Sequence, residues 1–252
     1  MIITGKQSFE NELKLAVNAA KEAGRFLSNC KNGEIVINNS IDKDIKLEAD
    51  VESEKLIIGI LRSGSAFDIL SEESGLLVGD DDHEYRWIVD PLDGSLNFSR
   101  GIEIYGVSIG LWKDSEPVLG VVYNFEHDQL YTGVVNEAAY CNEKKITVSE
   151  ISEKKGSVLV TGFPVYSDFD RVSLSSFIDD VQDYKKVRLF GSAAISLVHV
   201  AKGSVEVYKE KNIAVWDVAA GIAILLAAGG KATFGEGKGK NYLNVYASNG
   251  QQ

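Results

Sequence analysis

The chain has 252 residues, a formal net charge of −11 and 44% hydrophobic residues. That is enough for one large domain or two fused half-domains, and it excludes the basic footprint that nucleic-acid binding needs. No apolar run approaches a membrane span, the start MIITGKQSFENELK lacks the parts of a signal peptide, and Cys30 and Cys141 lie far apart outside any CxxC pattern. The expected location is therefore the cytoplasm, and nothing points to a disulfide-stapled fold. An acidic chain can still bind an anionic substrate when metal cations stand between the two.

Ser8 is placed to cap a helix running to about residue 29, with Leu13, Val17, Ala20, Gly24 and Leu27 at helical spacing. The polar stretch 32–46 reads as a loop or an irregular hairpin. Asp50 stands where a cap belongs, ahead of a second helix, VESEKLIIGILRSG. Strands follow: FDIL leading into SEES, RWIV leading into DPLDGS, then YGVSIGLWKD and PVLGVVYNFEHDQLYTGVV as an antiparallel meander with turns at 114–117 and 126–128. Beyond Glu150 the pattern alternates. SVLVTG, KVRLF and VEVY read as strands, separated by helices at 169–181, 193–201 and 218–228, and KATF and NVYAS close the chain as strands. Residues 1–152 thus read as an α+β half with two helices and an antiparallel sheet, and residues 153–252 as an α/β half. No Pro/Gly/Ser-rich linker separates them, so the halves are expected to pack as one unit.

Asp90 and Asp93, in WIVDPLDGSLNF, stand at the end of an apolar strand, where an unpaired carboxylate is costly. Pro91 biases Asp90 toward an extended conformation, and Asp93-Gly94 is a turn signal. If Ser95 opens a helical turn, the N–H groups of Gly94 and Ser95 face outward as a cradle for phosphate. SEES at 71–74 and WDVAAG at 216–221 place further acidic residues at the ends of buried elements. Taken singly, the three motifs read as a polar turn, a solvated loop and a helix cap. Together they supply hard oxygen donors of the kind Mg²⁺ takes while it also binds phosphate. His83, His127 and His199 are isolated, which argues against zinc. His199 reads as a structural residue and the acidic run 80–82 as a solvated turn.

This ordered set, with DIKLEAD before the second helix, GSAA at 191–194 and AAGG at 227–230, resembles the inositol monophosphatase family of Mg²⁺-dependent, lithium-sensitive sugar phosphatases. The resemblance covers nearly the whole chain. It implies a layered αβαβα sandwich, a homodimer, and two or three Mg²⁺ ions per active site. It implies metal ligands at Glu72, Asp90, the carbonyl oxygen of Leu92, Asp93 and Asp217. Ser95 and Asp50 would pair to orient and deprotonate the attacking water, with Glu72 also serving catalysis. Phosphate would lie on the N–H groups of Gly94 and Ser95, and substrate hydroxyls would meet Asp93, the Ala193 backbone, Glu210 and Asp217.

The chain departs from the family pattern in several places. Ser95 replaces the usual Thr and loses the methyl that restricts χ1. Leu47 stands where many members have Thr, Ala227 stands where a Glu is common, and 32–46 lacks a clear family signature. Tyr166 and Arg171 read first as surface residues. The resemblance implies inositol 1-phosphate as substrate, then fructose 1,6-bisphosphate, then 3′-phosphoadenosine 5′-phosphate. A non-catalytic binding protein on this fold would be expected to have lost one of the acidic residues or Ser95. A glycosidase using paired carboxylates finds no aromatic-lined sugar cleft in the sequence.

Overall fold

The computed structural model describes residues 8–31, 37–41, 44–79, 84–163 and 169–252. Helix α1 (Glu10–Lys31) buries Ala16, Ala19, Ala20, Ala23, Gly24 and Leu27, small side chains on one stripe that let it lie close to its neighbours. Strands β1 (Ile37–Ile41) and β2 (Asp44–Leu47) pair antiparallel with one register shift, so the described part of the polar stretch is the irregular hairpin. Helix α2 (Glu48–Gly64) begins two residues before Asp50. Asp50 is therefore not its cap. It lies in the first turn, on the buried face with Ser53, Glu54, Ile57 and Leu61.

Next come β3 (Asp68–Ser71), β4 (Gly75–Leu77), β5 (Tyr85–Asp93), the short helix α3 (Ser95–Arg100), β6 (Gly106–Lys113), β7 (Glu116–Asn124), β8 (Gln129–Val134), β9 (Ala139–Cys141) and β10 (Lys144–Ile146). Among the described residues these strands form one sheet in the order β10-β9-β8-β7-β6-β5-β3-β4. It is antiparallel except between β3 and β5. The meander expected from the sequence is β6 to β8. The sequence reading missed β9 and β10, which are too short to show a period.

The rest of the chain gives β11 (Val158–Thr161), α4 (Arg171–Asp183), β12 (Lys186–Leu189), α5 (Ala193–Ala201), β13 (Val207–Ala214), α6 (Val215–Ala227), β14 (Lys231–Glu236) and β15 (Tyr242–Ser248). Their sheet runs β12-β11-β13-β15-β14, parallel across its first three strands and antiparallel beyond. Helix α6 starts three residues earlier than its sequence pattern indicated. Ala214 holds the cap position without a side-chain bond, so Asp217 is not the cap either.

Helices α1 and α2 cover one face of the larger sheet, α5 and α6 fill the space between the two sheets, and α4 lies against the far side of the smaller one. The layer order is αβαβα, as the resemblance implied. The position of α6 is set by a row of glycines. Gly110, Gly120 and Gly133 are paired across β6, β7 and β8. A methyl on Gly120 would stand 2.1 Å from the Ala220 carbonyl oxygen, and one on Gly133 2.8 Å from Ile224 Cα. The helix therefore rests directly on the sheet backbone. Ser108 Oγ and Trp112 Nε1 donate to the carbonyls of Trp216 and Ala219 at 3.3 and 3.1 Å. These contacts fix the start of α6, and Asp217 with it, over the strands beside the end of β5. No helix among the described residues is long and apolar enough to cross a membrane.

Candidate active site

Strand β5 is buried from Trp87 to Asp93. Its pairing with β6 shifts between Asp90, opposite Ser108, and Asp93, opposite Gly106. Pro91 brings no N–H to the ladder there, and the Leu92 carbonyl accepts Ser95 Oγ at 2.9 Å. The same hydroxyl lies 3.3 Å from Asp50 Oδ2. Its single proton serves one acceptor at a time, and the shorter contact is to Leu92. Gly94 adopts φ 91°, and a Cβ there would stand 2.9 Å from the Ile104 carbonyl oxygen. The turn therefore requires glycine on both conformational and steric grounds. Helix α3 starts directly after it.

The carboxylate oxygens of Asp90, Asp93 and Asp217 lie within 4.8 Å of one another. Asp90 is 1% exposed, and its Oδ1 accepts the Leu92 N–H at 2.9 Å. Asp93 is 7% exposed and reaches the N-terminus of α5. Its Oδ2 accepts the Ala194 N–H at 2.8 Å and the Ser192 hydroxyl, and its Oδ1 accepts the Ala193 N–H at 3.3 Å. Asp217 is half-buried in the first turn of α6. Glu72 follows β3, its N–H held by the Val89 carbonyl at 3.3 Å. Its charge bears on Asp90 and Asp217, though it stands beside the triad and is not within the same short distance of all three.

The crowding shows in the acidities. Burial, then the charges of Glu72, Asp93 and Asp217, hold Asp90 well above the usual carboxylate range. Burial, then Asp93, Glu72 and Glu210, does the same for Asp217, offset by its hydrogen bond with Asp90. Burial raises Asp93 only to about 6, because Ser192 and the N–H groups at the start of α5 favour its charged form. Glu210 is pushed up to about 8 by burial and by Asp93.

Glu210 comes from β13, where the pairing with β15 shifts between Glu210 and Ile213 and Asn212 takes φ 57°. That bulge re-aims the side chain into a cleft of about 190 Å³ shared with Asp93, Ala193 and Asp217. The Ala193 N–H is already given to Asp93. Arg171 is exposed at the start of α4, while residues 80–83 and Tyr166 lie outside the described residues. His199 is pushed down to about 4 by burial and packs edge-on against Phe190; it belongs to the core.

Two contributors escaped the sequence reading. Ser192 caps α5 through Ile195 N–H and also donates to Asp93; a Ser ahead of an apolar helix was the available signal. Asn97 Nδ2 donates to the carbonyls of Ile104 and Phe190, each at 2.8 Å, and so ties α3 to the segment before α5. Nothing local marked that role.

A largely buried, all-carboxylate cluster at the end of β5 and the start of α6, inside an αβαβα sandwich, defines a class: metal-dependent phosphomonoesterases. The family model of the inositol monophosphatase family matches residues 9–251, and the chain belongs to that family. It is 33% identical over 225 residues to the Nus factor SuhB of Pasteurella multocida, covering 86% of this chain and 83% of the relative. It is 37% identical over 194 residues to the fructose-1,6-bisphosphatase/inositol-1-monophosphatase of Aquifex aeolicus, covering 76% and 73%. The solved inositol monophosphatase of Anabaena (Nostoc) sp. superposes with a TM-score of 0.82 at 35% identity, over 97% of this chain and 93% of that one.

Proposed function

We propose that this chain is a Mg²⁺-dependent phosphatase of small sugar or polyol phosphates, acting first on inositol 1-phosphate and second on fructose 1,6-bisphosphate. The observation that carries the reading is the Asp90–Asp93–Asp217 triad, mutually within 4.8 Å, with Asp90 and Asp93 buried and Asp217 half-buried. Its donors are all hard oxygens, which fits Mg²⁺ and not zinc. Asp90, Asp93 and Asp217 would hold the cation, with Glu72 and the Leu92 carbonyl as further ligands, for two or three ions in all. When bound, Mg²⁺ supplies charge neutralisation on the phosphoryl oxygens and acidifies the attacking water.

The chain's own groups do the rest. The N–H groups of Gly94 and Ser95 hold phosphate oxygens at the start of α3. Ser95 Oγ, between Leu92 and Asp50, orients the water, and Asp50 takes its proton. Glu210 meets a substrate hydroxyl in the cleft it shares with Asp93 and Asp217, and Asp93 and Asp217 accept from others. The two substrates are those in the printed name of the Aquifex relative, and the chain's net charge of −11 leans toward the ester with a single phosphate. A homodimer in the cytoplasm completes the reading.

The test is phosphate release from inositol 1-phosphate, fructose 1,6-bisphosphate and 3′-phosphoadenosine 5′-phosphate in parallel, with Mg²⁺ and with EDTA. Release that requires Mg²⁺, ranked in that order by kcat/KM, is expected. No release from any of them, by folded protein that still binds Mg²⁺, would favour a non-catalytic binding protein on this fold.

A further inference from the structure

Helix α2 turns three polar side chains toward the site from one face. Asp50, Ser53 and Glu54 are 2%, 0% and 1% exposed, at the i, i+3, i+4 spacing that makes them neighbours. Each reaches a different piece of backbone or side chain. Asp50 meets Ser95. Ser53 Oγ donates to the Pro91 carbonyl at 3.3 Å. Glu54 Oε1 accepts the N–H groups of Glu73 and Ser74 at 3.0 and 3.1 Å, and its Oε2 accepts the Ser74 hydroxyl. Both oxygens of Glu54 are thus taken by the turn that carries Glu72.

A buried carboxylate needs a reason. No lysine or arginine pairs with Glu54 among the described residues, so its charge is met by turn donors alone. An apolar side chain would fill the interface between α2 and β5 without desolvating a charge. Three charge-assisted hydrogen bonds, by contrast, fix a tight turn in direction as well as position. The same helix grips the β5 turn through Ser53 and Asp50, so one rigid rod sets the two acidic turns in register with each other.

We infer that Glu54 is a positioning residue for metal binding: it clamps the Glu73–Ser74 backbone so that the Glu72 carboxylate stands beside Asp90 and Asp217 before the cation arrives. This rests on the reading of Glu72 as a ligand. Groups that orient ligands from behind change metal affinity by about 10–100-fold when removed.

The experiment is calorimetric titration of Mg²⁺ into metal-free wild type, Glu54→Gln, Ser74→Ala and Glu72→Gln, with thermal melts of each metal-free protein. Glu54→Gln should raise the Mg²⁺ Kd about tenfold or more. Its kcat at saturating Mg²⁺ should stay near that of wild type, with the Mg²⁺ needed for half-activity rising in step with Kd. Ser74→Ala, which removes one of the three bonds, should shift Kd the same way by less, and it serves if Glu54→Gln does not fold. A lowered melting temperature with Kd unchanged in Glu54→Gln, or in Ser74→Ala where only that variant folds, would overturn the inference if Glu72→Gln weakens Mg²⁺. If Glu72→Gln itself leaves Kd unchanged, the ligand reading of Glu72 falls, and the inference falls with it.

Discussion

Asp90 and Asp93 leave the end of one strand and are both buried, yet the regions they enter treat them differently. Asp90 stays on the side of the larger sheet, with one internal N–H from Leu92 and three carboxylates for neighbours. Asp93 points at the start of α5 and is met by Ser192 and the N–H groups of Ala193 and Ala194. Burial pushes both upward, but those donors hold Asp93 at about 6 while Asp90 stays well above the usual range. The smaller-sheet side thus stabilises its carboxylate with its own dipoles. The larger-sheet side leaves Asp90 and Asp217 to be neutralised by protons or by a cation.

The largest expected effect tests that division. Asp90→Asn and Asp217→Asn should each lower Mg²⁺-dependent turnover by orders of magnitude, and neither should lower the melting temperature of the metal-free protein, since each relieves like-charge repulsion. Near-normal turnover in either would break the account. Asp93→Asn should also lose turnover, but it should gain less metal-free stability at pH 8 than Asp90→Asn does, read by denaturant melts, because the donors at the start of α5 already offset part of the cost of burying its charge. Equal behaviour of Asp90→Asn and Asp93→Asn would remove the difference between the two regions.

Smaller effects sharpen the comparison. Ser95→Ala should reduce kcat by about 100-fold with less change in KM, whereas Ser95→Thr should be tolerated; steady-state kinetics on inositol 1-phosphate separates the two. The pH dependence follows from the raised carboxyls. Asp93 at about 6 and Glu210 at about 8 bind protons more tightly in the folded chain than in the unfolded one. Their contribution to metal-free stability is full near pH 4 and is lost as pH rises through 6 to 8. Mg²⁺ displaces protons from the cluster, so the Mg²⁺-induced rise in melting temperature should grow over the same interval. Glu210→Gln should flatten the upper part of the metal-free curve.

Much of this site was legible locally. Asp90, Pro91, Asp93 and Gly94 announce a turn at a strand end because their chemistry is local: a fixed φ, a missing N–H, a position that only glycine fills. The alternation of short apolar runs and helical periods after residue 150 carried the second half. The helix starts were less legible. Asp50 and Asp217 both look like caps, but packing against the sheets extends α2 and α6 backward to Glu48 and Val215 and turns the same residues inward from the first turn. Glu54 was silent, since its partners lie about 20 positions away; Ser192 was legible as a cap, but its bond to Asp93, 99 positions away, was not. The aim of Glu210 depends on a bulge that becomes visible only when β15 is in place.

The most direct measurement is a thermal melt at pH 8 of the metal-free protein and of Asp90→Asn/Asp217→Asn, each with and without Mg²⁺. If the triad is the cation site, Mg²⁺ at a hundredfold excess over Kd should stabilise the wild type by about 2.7 kcal/mol and the double variant hardly at all. No rise in the wild type, or an equal rise in both, would contradict the central claim that these carboxylates are built for a cation.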